Sequence, residues 1–426
     1  MSRLASDVFD VVVVGAGAAG LAAARTLHNA GARVTIVEAR PRIGGRVWTE
    51  RSCGPYPIEL GAELIHGEHT STVALAHMAG LTLAEVDRYN GLRWGTPARL
   101  VQDLPATDPA WQTITAARDV WHKLATQYAD DAADRSLAAE LIQRGVDPAR
   151  LPIADVVLAQ TCCAELETLS CVDLAREIRG DRAGPREFRL REGYDTLLNW
   201  LARDLDIRLG SPVHAIIHQA DEVQIKTPAS ILRARHCIIT VPVAVLAAGM
   251  IRFDPPLSAS KQAAITAFRT LSATKHFFWF DEPLWDAGFA YAAHGGLFAR
   301  WWTPAHPDLS APLICCYVTA SRAEILDRLP DDTVRTLGLA ELSRILGRDD
   351  VARRCTGFRR YRWAHDPFAR GGYAHLLPGM AWARPALAAA EGSLHFAGEA
   401  TAFDSNPQTV HGAIDSGRRA AQECLR

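Results

Sequence analysis

The sequence has no apolar run approaching the roughly 18 residues that a membrane-spanning helix needs, so no transmembrane segment is expected. It has no dense Lys/Arg block and a formal net charge of −2, which removes the electrostatic case for nucleic acid or anionic lipid as a partner. The opening MSRLASDVFD runs straight into a β-branched stretch and leaves no room for a secretory leader. Nine cysteines form an odd set without a CxxC pair or metal-ligand spacing, so no metal is expected. A reduced, cytoplasmic protein whose thiols fill core positions fits this pattern. Repeats and low-complexity linkers are missing too. At 426 residues, with 48% hydrophobic and 22% charged, the chain has room for two or three ordinary globular domains.

What is present begins at Asp10–Val14, a β-branched run that predicts a strand buried on both faces. Gly15-Ala16-Gly17-Ala18-Ala19-Gly20 follows as GxGxxG, then a helical stretch with Leu21, Ala24 and Leu27 on one side. A second strand, Arg33–Val37, ends at Glu38. In this order Gly15 makes the tight turn, Gly17 lets a pyrophosphate approach the backbone, and Gly20 lets helix and strand pack closely. The helix N-terminus offers unpaired N–H groups to phosphate, and the Glu38-Ala39-Arg40 segment places a carboxylate for an adenosine ribose. A second glycine pair, Gly44-Gly45-Arg46, comes soon after. Nicotinamide dehydrogenases have no general need for it, and a guanidinium there suits phosphate oxygens or a polarised ring. A long, two-ended cofactor follows, and EARPRIGGRV resembles the corresponding segment of FAD-dependent amine oxidases.

The same resemblance continues in family order through IELGAELIHG (58–67), FRLREGYDTLLNWLA (188–202), GSPVHAI (210–216), TKHFFWFDEPLW (274–285), RWAHDPFARGGYAH (362–375) and HFAGEATAFDSNPQTVHGAIDSGRRAA (395–421). It is nearest to the polyamine oxidase, spermine oxidase and lysine-specific histone demethylase branch. The implied fold class is α/β, with a Rossmann-like FAD-binding domain interleaved with a substrate domain of mixed sheet and helices. The FAD domain would take residues 1–85, 185–255 and 385–426, and the substrate domain 86–184 and 256–384. A coiled-coil insertion or extra N-terminal module, as in a chromatin enzyme of this branch, is not expected.

By resemblance, Lys275 holds a water against flavin N5, His66 sits on the substrate side of the loop over the flavin, and Tyr373 is an aromatic wall near the ring. Further cofactor contacts are implied for Gly61, Ala62, Glu63, Val213, Val241, Pro242, Trp363, Gly398, Glu399, Thr409, Val410 and Ala413. Residues 210–216 would form the strand whose backbone reads adenine. Two departures from the family pattern stand out. Leu64 replaces the loop tryptophan, and Gly371-Gly372-Tyr373 lacks the cysteine that the mitochondrial monoamine oxidases use for flavin attachment, so the FAD would be non-covalent.

The resemblance implies a small-molecule amine oxidised to an imine with oxygen reduced to hydrogen peroxide, polyamines or N-alkyl amines being favoured, and leaves the oligomeric state open. His66 or Glu63 would hold a distal substrate nitrogen. An L-amino-acid oxidase, with Arg93 or Arg300 clamping a carboxylate, a carotenoid-desaturase-like or porphyrinogen-oxidising flavoenzyme, and a flavin-holding protein without turnover are the rival readings. Helices are predicted where Trp111, Ile114, Trp121, Leu124 and Tyr128 form a stripe, over 258–271 and 331–346, and at the C-terminus with Val410, Ala413, Ile414, Gly417 and Ala421 on one side. The last begins at Asn406-Pro407 or nearer Thr409.

Overall fold

Two sheets organise the computed structural model, which describes residues 8–54, 56–86, 92–95, 100–101, 107–219, 222–286, 289–304 and 311–426. The reading of the first seven residues as leaderless lies outside the described residues. Strand Val8–Val14 lies between Val34–Val37 and Ile231–Ile239, parallel to both, with Val11 opposite Val34 on one side and His236 on the other. The sheet continues through Val223–Lys226, Ala215–His218 and Arg252–Asp254, while Ile207–Arg208 closes the opposite edge and Leu394–Phe396 pairs with Ile231–Ile239. A strand with Val at nearly every position suits the middle of such a sheet, because both of its faces are covered.

On one face, helix Ala18–Asn29 packs against the C-terminal helix Val410–Cys424 through Ala19, Leu27, Ile414 and Ala421. The approach is close: a Cβ on Gly417 would stand 2.1 Å from the Ala19 carbonyl oxygen. On the other face Phe9, Val12 and Ile239 of the strands pack with Leu387, Leu257 and Ile265.

The second sheet runs Cys355–Arg362, Ala273–Phe280, Leu313–Thr319, Arg300–Trp302, Tyr291–His294, Leu92–Gly95 and Leu100–Val101 in spatial order. Ala273–Phe280 is buried on both faces. Phe278 and Phe280 join one core with Leu326 and Val334, whereas Phe277 and Trp279 face another with Leu60 and Trp302. The alternation that puts Lys275, Phe277 and Trp279 on one face is therefore present. Beside this sheet, helices Pro109–Gln127, Leu137–Gln143, Leu151–Val157 and Cys171–Gly180 share a core of their own.

Several boundaries move. The second strand starts at Val34, not Arg33. The helix expected over 258–271 spans Ala259–Ala267 with Ser258 as its cap, because Phe268–Thr270 leaves to pair with Ala374–Leu376. Asp331–Leu346 is helical as expected. Residues 210–214 are a loop before strand Ala215–His218, so the segment expected as a strand only begins as one at its end. Within Pro109–Gln127, Ile114 and Leu124 are buried in the core, but Trp111 is exposed. The C-terminal helix is capped by Thr409, whose Oγ1 accepts from Gly412 N at 3.0 Å, so Asn406-Pro407 precedes it. All nine cysteines are free and seven are buried.

Candidate active site

A cavity of about 700 Å³ runs between the two sheets, large enough for an extended ligand. At one end its wall is Gly15, Gly17, Ala18, Ala19, Glu38, Ala39 and Arg40, with Val213, Val241 and Pro242 across from them. The helix Ala18–Asn29 begins here at Gly17 without a side-chain cap, so its first N–H groups face the cavity. Glu38 is fixed by two backbone donors, Ala16 N at 2.7 Å and Arg40 N at 2.9 Å, and Arg40 is anchored in turn on Asp366 at 2.6 Å.

Ala16 and Gly20, expected as cofactor contacts, do not line this wall. Ala16 lies behind it, donating to Glu38 and accepting from Gly44 N at 2.8 Å. Gly20 faces the turn itself: a Cβ there would lie 1.9 Å from the Gly15 carbonyl oxygen. The second glycine pair serves the same turn, since Gly44 bridges to Gly17 and a Cβ on Gly45 would sit 3.3 Å from Gly17 Cα.

Midway along, Gly44, Gly45 and Arg46 face Gly398 and Glu399. Arg46 Nη1 donates to Glu399 Oε1 at 2.9 Å and to the Gly372 carbonyl at 2.6 Å. Glu399 also accepts from Ala374 N, while its Oε2 is buried without a partner. A buried carboxylate oxygen left over beside a cavity fits a ligand hydroxyl or N–H. Uncapped helical N–H groups, a carboxylate at the ribose position and this spare oxygen together fit FAD. When bound, FAD would be held by these groups and would supply the two-electron acceptor.

The far end is built from many segments. Gly61, Ala62, Glu63, Leu64 and His66 line it, with Lys275, Trp302, Tyr317, Trp363 and Tyr373. Trp302 meets Tyr317 edge-on at 6.0 Å, and Trp363 donates its indole N–H to the Leu60 carbonyl at 2.9 Å. Tyr317 donates to the Tyr373 hydroxyl at 2.9 Å, which donates to the Thr161 carbonyl at 3.0 Å. Burial pushes both phenols upward, so they remain neutral donors. Thr409, Val410 and Ala413 close this end from the C-terminal helix.

Lys275 finds the partner that its burial demands. Its ammonium donates to Glu63 Oε2 at 2.6 Å and to the Glu59 carbonyl at 2.8 Å. Glu63 Oε1 lies 2.9 Å from Arg189 Nε, and the Trp302 indole donates to both Glu63 oxygens. Burial works against the Glu63 charge, but Lys275 and Arg189 outweigh it and hold the carboxyl below its ordinary range. Glu63 is thus engaged by Lys275, Arg189 and Trp302, so a distal substrate nitrogen would have to compete with them for it. His66 stays at the cavity wall, half exposed, with Nδ1 2.7 Å from Glu187.

The sequence reading missed a carboxylate. Glu177, near the end of helix Cys171–Gly180, lines the cavity with Asp181 and Trp121. Burial, then the nearby Asp173 charge, pushes Glu177 up to about 8. Asp173 and Asp181 belong to the same helix and its end, and Arg384 comes in from a distant segment, so linear spacing does not display that Glu177 is buried at a cavity. Of the two arginines considered as a carboxylate clamp, Arg300 lines the cavity, whereas Arg93 points to Asp286 at 2.7 and 2.8 Å. Away from the cavity, His236 and His395 approach to 3.3 Å with Cys424 beside them, a cluster that spacing also concealed.

No described helix is long and apolar enough to cross a membrane. The chain is 30% identical to lysine-specific histone demethylase 2 of Homo sapiens over 97% of its length, and spans 53% of that protein. It therefore covers about half of the histone demethylase it matches. It is also 30% identical to polyamine oxidase 4 of Oryza sativa subsp. japonica, covering 98% of this chain and 88% of that one. Among solved structures, cyclohexylamine oxidase from Brevibacterium oxydans IH-35A superposes with a TM-score of 0.85 at 23% identity, over 98% of both chains. Wild-type putrescine oxidase bound to putrescine does so with a TM-score of 0.84 at 21% identity, over 98% of this chain and 99% of that one. These two show the fold. The family model for flavin-containing amine oxidoreductases matches residues 18–425, and with the cavity's fit to FAD it places the chain in that family.

Proposed function

We propose that this chain oxidises a primary or secondary amine, a polyamine or N-alkylated amine being favoured, to the imine, with oxygen as acceptor and hydrogen peroxide as product. The observation that carries this reading is the continuity of the cavity from the Glu38 end, past Lys275 and the aromatic walls, to the carboxylates of Glu177 and Asp181. The division into an FAD domain (1–85, 185–255, 385–426) and a substrate domain (86–184, 256–384) belongs to the same proposal.

An alkyl amine has a pKa of about 10.4, so under about one part in a thousand is neutral at pH 7. Loss of hydride from the adjacent carbon needs the nitrogen lone pair, which the ammonium lacks. Walls formed by Trp302, Tyr317, Trp363 and Tyr373 favour the neutral form of the reacting nitrogen by excluding water. Glu177, pushed up to about 8, would accept the distal cation as a carboxylate above that pH and hold it more weakly as a neutral carboxyl below it. Lys275 keeps a donor for a water at the flavin, and the imine leaves for hydrolysis in solvent. Non-covalent FAD is part of the proposal. Cys162 does reach the cavity wall, but burial pushes its thiol up to about 12, which keeps it protonated.

Arg300 gives the competing reading, an amino-acid oxidase, its only support. Its Nη2 donates to the Gln160 carbonyl at 2.6 Å and its guanidinium lies over the Tyr317 ring, so a carboxylate would have to share it. Anaerobic flavin bleaching, with peroxide release in air, across polyamines, alkyl monoamines and amino acids decides between them. Fastest bleaching by a polyamine supports the proposal. A strict need for a substrate carboxylate overturns it, and no bleaching by any amine leaves a flavin-binding protein without turnover.

A further inference from the structure

We propose that Glu63, backed by Arg189, keeps Lys275 a cation at the cavity wall, so that the lysine acts on the flavin as a fixed positive charge as well as a hydrogen-bond donor. The inference rests on the reading of Lys275 as a flavin-side residue and adds two positioning residues to it.

The geometry is that of a closed ionic cluster. The Lys275 and Glu63 side chains are each only 5% exposed. A buried lysine without an anion tends to give up its proton, because burial penalises the charged form. Here the anion stands at 2.6 Å, and it is held in place by Arg189 at 2.9 Å and by the Trp302 indole. Two of the three ammonium donors go to Glu63 and to the Glu59 carbonyl, which leaves one for the cavity. One carboxylate between two cations leaves a net positive charge in a dry wall. Burial pushes the neighbouring Glu59 carboxyl up to about 7, so below that pH it adds no negative charge to the cluster, and the test below is made there.

A fixed cation beside a flavin favours every state in which the flavin carries added negative charge. Sulfite tests this without turnover. Its sulfur lone pair forms a bond to flavin N5, the ring takes up the electron pair as negative charge, and the absorbance bleaches. The sign of one substitution is decisive. If Glu63 were a bystander anion, Glu63→Gln would tighten sulfite binding by removing a like charge. If Glu63 holds the proton on Lys275, the same change weakens it.

Sulfite would be titrated into FAD-loaded wild type, Lys275→Met and Glu63→Gln at one pH and ionic strength, with FAD content checked first. A unit charge at short range in a partly buried site is worth more than a tenfold change, so Lys275→Met should raise the sulfite Kd by about tenfold or more. Glu63→Gln should raise it in the same direction by about threefold or more, because the charge lost is on the ammonium whose remaining donor is free for the cavity, whereas Glu63 is turned to Lys275, Arg189 and Trp302. Unchanged or tighter binding in Glu63→Gln, with Lys275→Met weakened, overturns this inference and leaves the role of Lys275 intact. Unchanged binding in Lys275→Met overturns that role as well. If Glu63→Gln does not hold FAD, Glu63→Asp replaces it: drawing the carboxylate back by one methylene should also weaken sulfite binding, and tighter binding overturns the inference.

Discussion

At the nucleotide end of the cavity the wall comes largely from residues 14–19 and 37–46, two stretches joined by a single helix. At the amine end it comes from residues as far apart as His66, Trp121, Glu177, Lys275, Tyr317 and Tyr373. The first end meets its ligand mostly with backbone and glycine, so its chemistry is that of local conformation. The second meets it with buried ionisable and aromatic side chains, whose charge states depend on neighbours brought in from elsewhere. Errors at the first end should therefore cost folding and FAD retention. Errors at the second should cost rate or substrate choice with the fold intact.

The strongest test of that contrast is Gly20→Ala. Its Cβ would fall 1.9 Å from the Gly15 carbonyl oxygen and 3.0 Å from Thr240 Oγ1, so backbone must shift. Overpacking of this kind costs about 1–3 kcal/mol and displaces the turn, so the variant should purify with little FAD and a lower unfolding midpoint. A yellow protein of wild-type stability would remove the close-packing account of that turn.

Lys275→Met comes next. A preorganised donor at developing charge contributes about 10²–10³-fold, and turnover or flavin reoxidation should slow by about 10²-fold while FAD stays bound. Stopped-flow measurement of both half-reactions separates the two steps, and wild-type rates in each would make the lysine purely structural.

Glu177→Gln should act on recognition alone. We expect KM for a diamine or polyamine to rise by about tenfold, equivalent to 1.4 kcal/mol, with an alkyl monoamine little affected. Because Glu177 is pushed up to about 8, its carboxyl is neutral below that pH and anionic above it. The KM preference for the diamine over the monoamine should therefore grow as pH rises through about 8 in wild type and stay flat in Glu177→Gln. The stability sign runs the other way. The folded state holds this proton between the ordinary glutamate value of 4.5 and about 8 while the unfolded state has released it, so stability falls with rising pH across that window. Urea titrations of the two proteins at several pH values check this. A diamine preference indifferent to both pH and substitution would mean that the second nitrogen is held elsewhere.

Tyr373→Phe should be the mildest. It leaves the Thr161 carbonyl without its donor, a loss of about 1 kcal/mol in stability, with the aromatic wall preserved. A turnover loss comparable to that of Lys275→Met would make the hydroxyl part of the chemistry.

Legibility in the sequence followed the same division. Strand, GxGxxG, helix, strand and Glu38 were readable because each needs only its immediate neighbours, and Glu38 stands at the predicted wall. Ala16 and Gly20 stand off the cavity wall, because a motif names positions without saying which side of the turn each faces. Lys275 was readable from strand alternation in an apolar run, whereas its partner Glu63 was assigned to the substrate because the distance between 63 and 275 is invisible in the chain. Glu177 gave no local signal, since a glutamate late in an amphipathic helix usually faces water.

By itself the sequence determined the nucleotide turn, the alternation that buries Lys275, and the order of segments that marks the family. These rest on backbone sterics and hydrophobic period, which act over a few residues. Only the tertiary structure decided which carboxylate holds the lysine, that Glu177 lines the cavity, and which of Arg93 and Arg300 reaches it. Ionisation and ion pairing depend on burial and on distances between segments hundreds of residues apart, and those exist only once the two sheets enclose the same cavity.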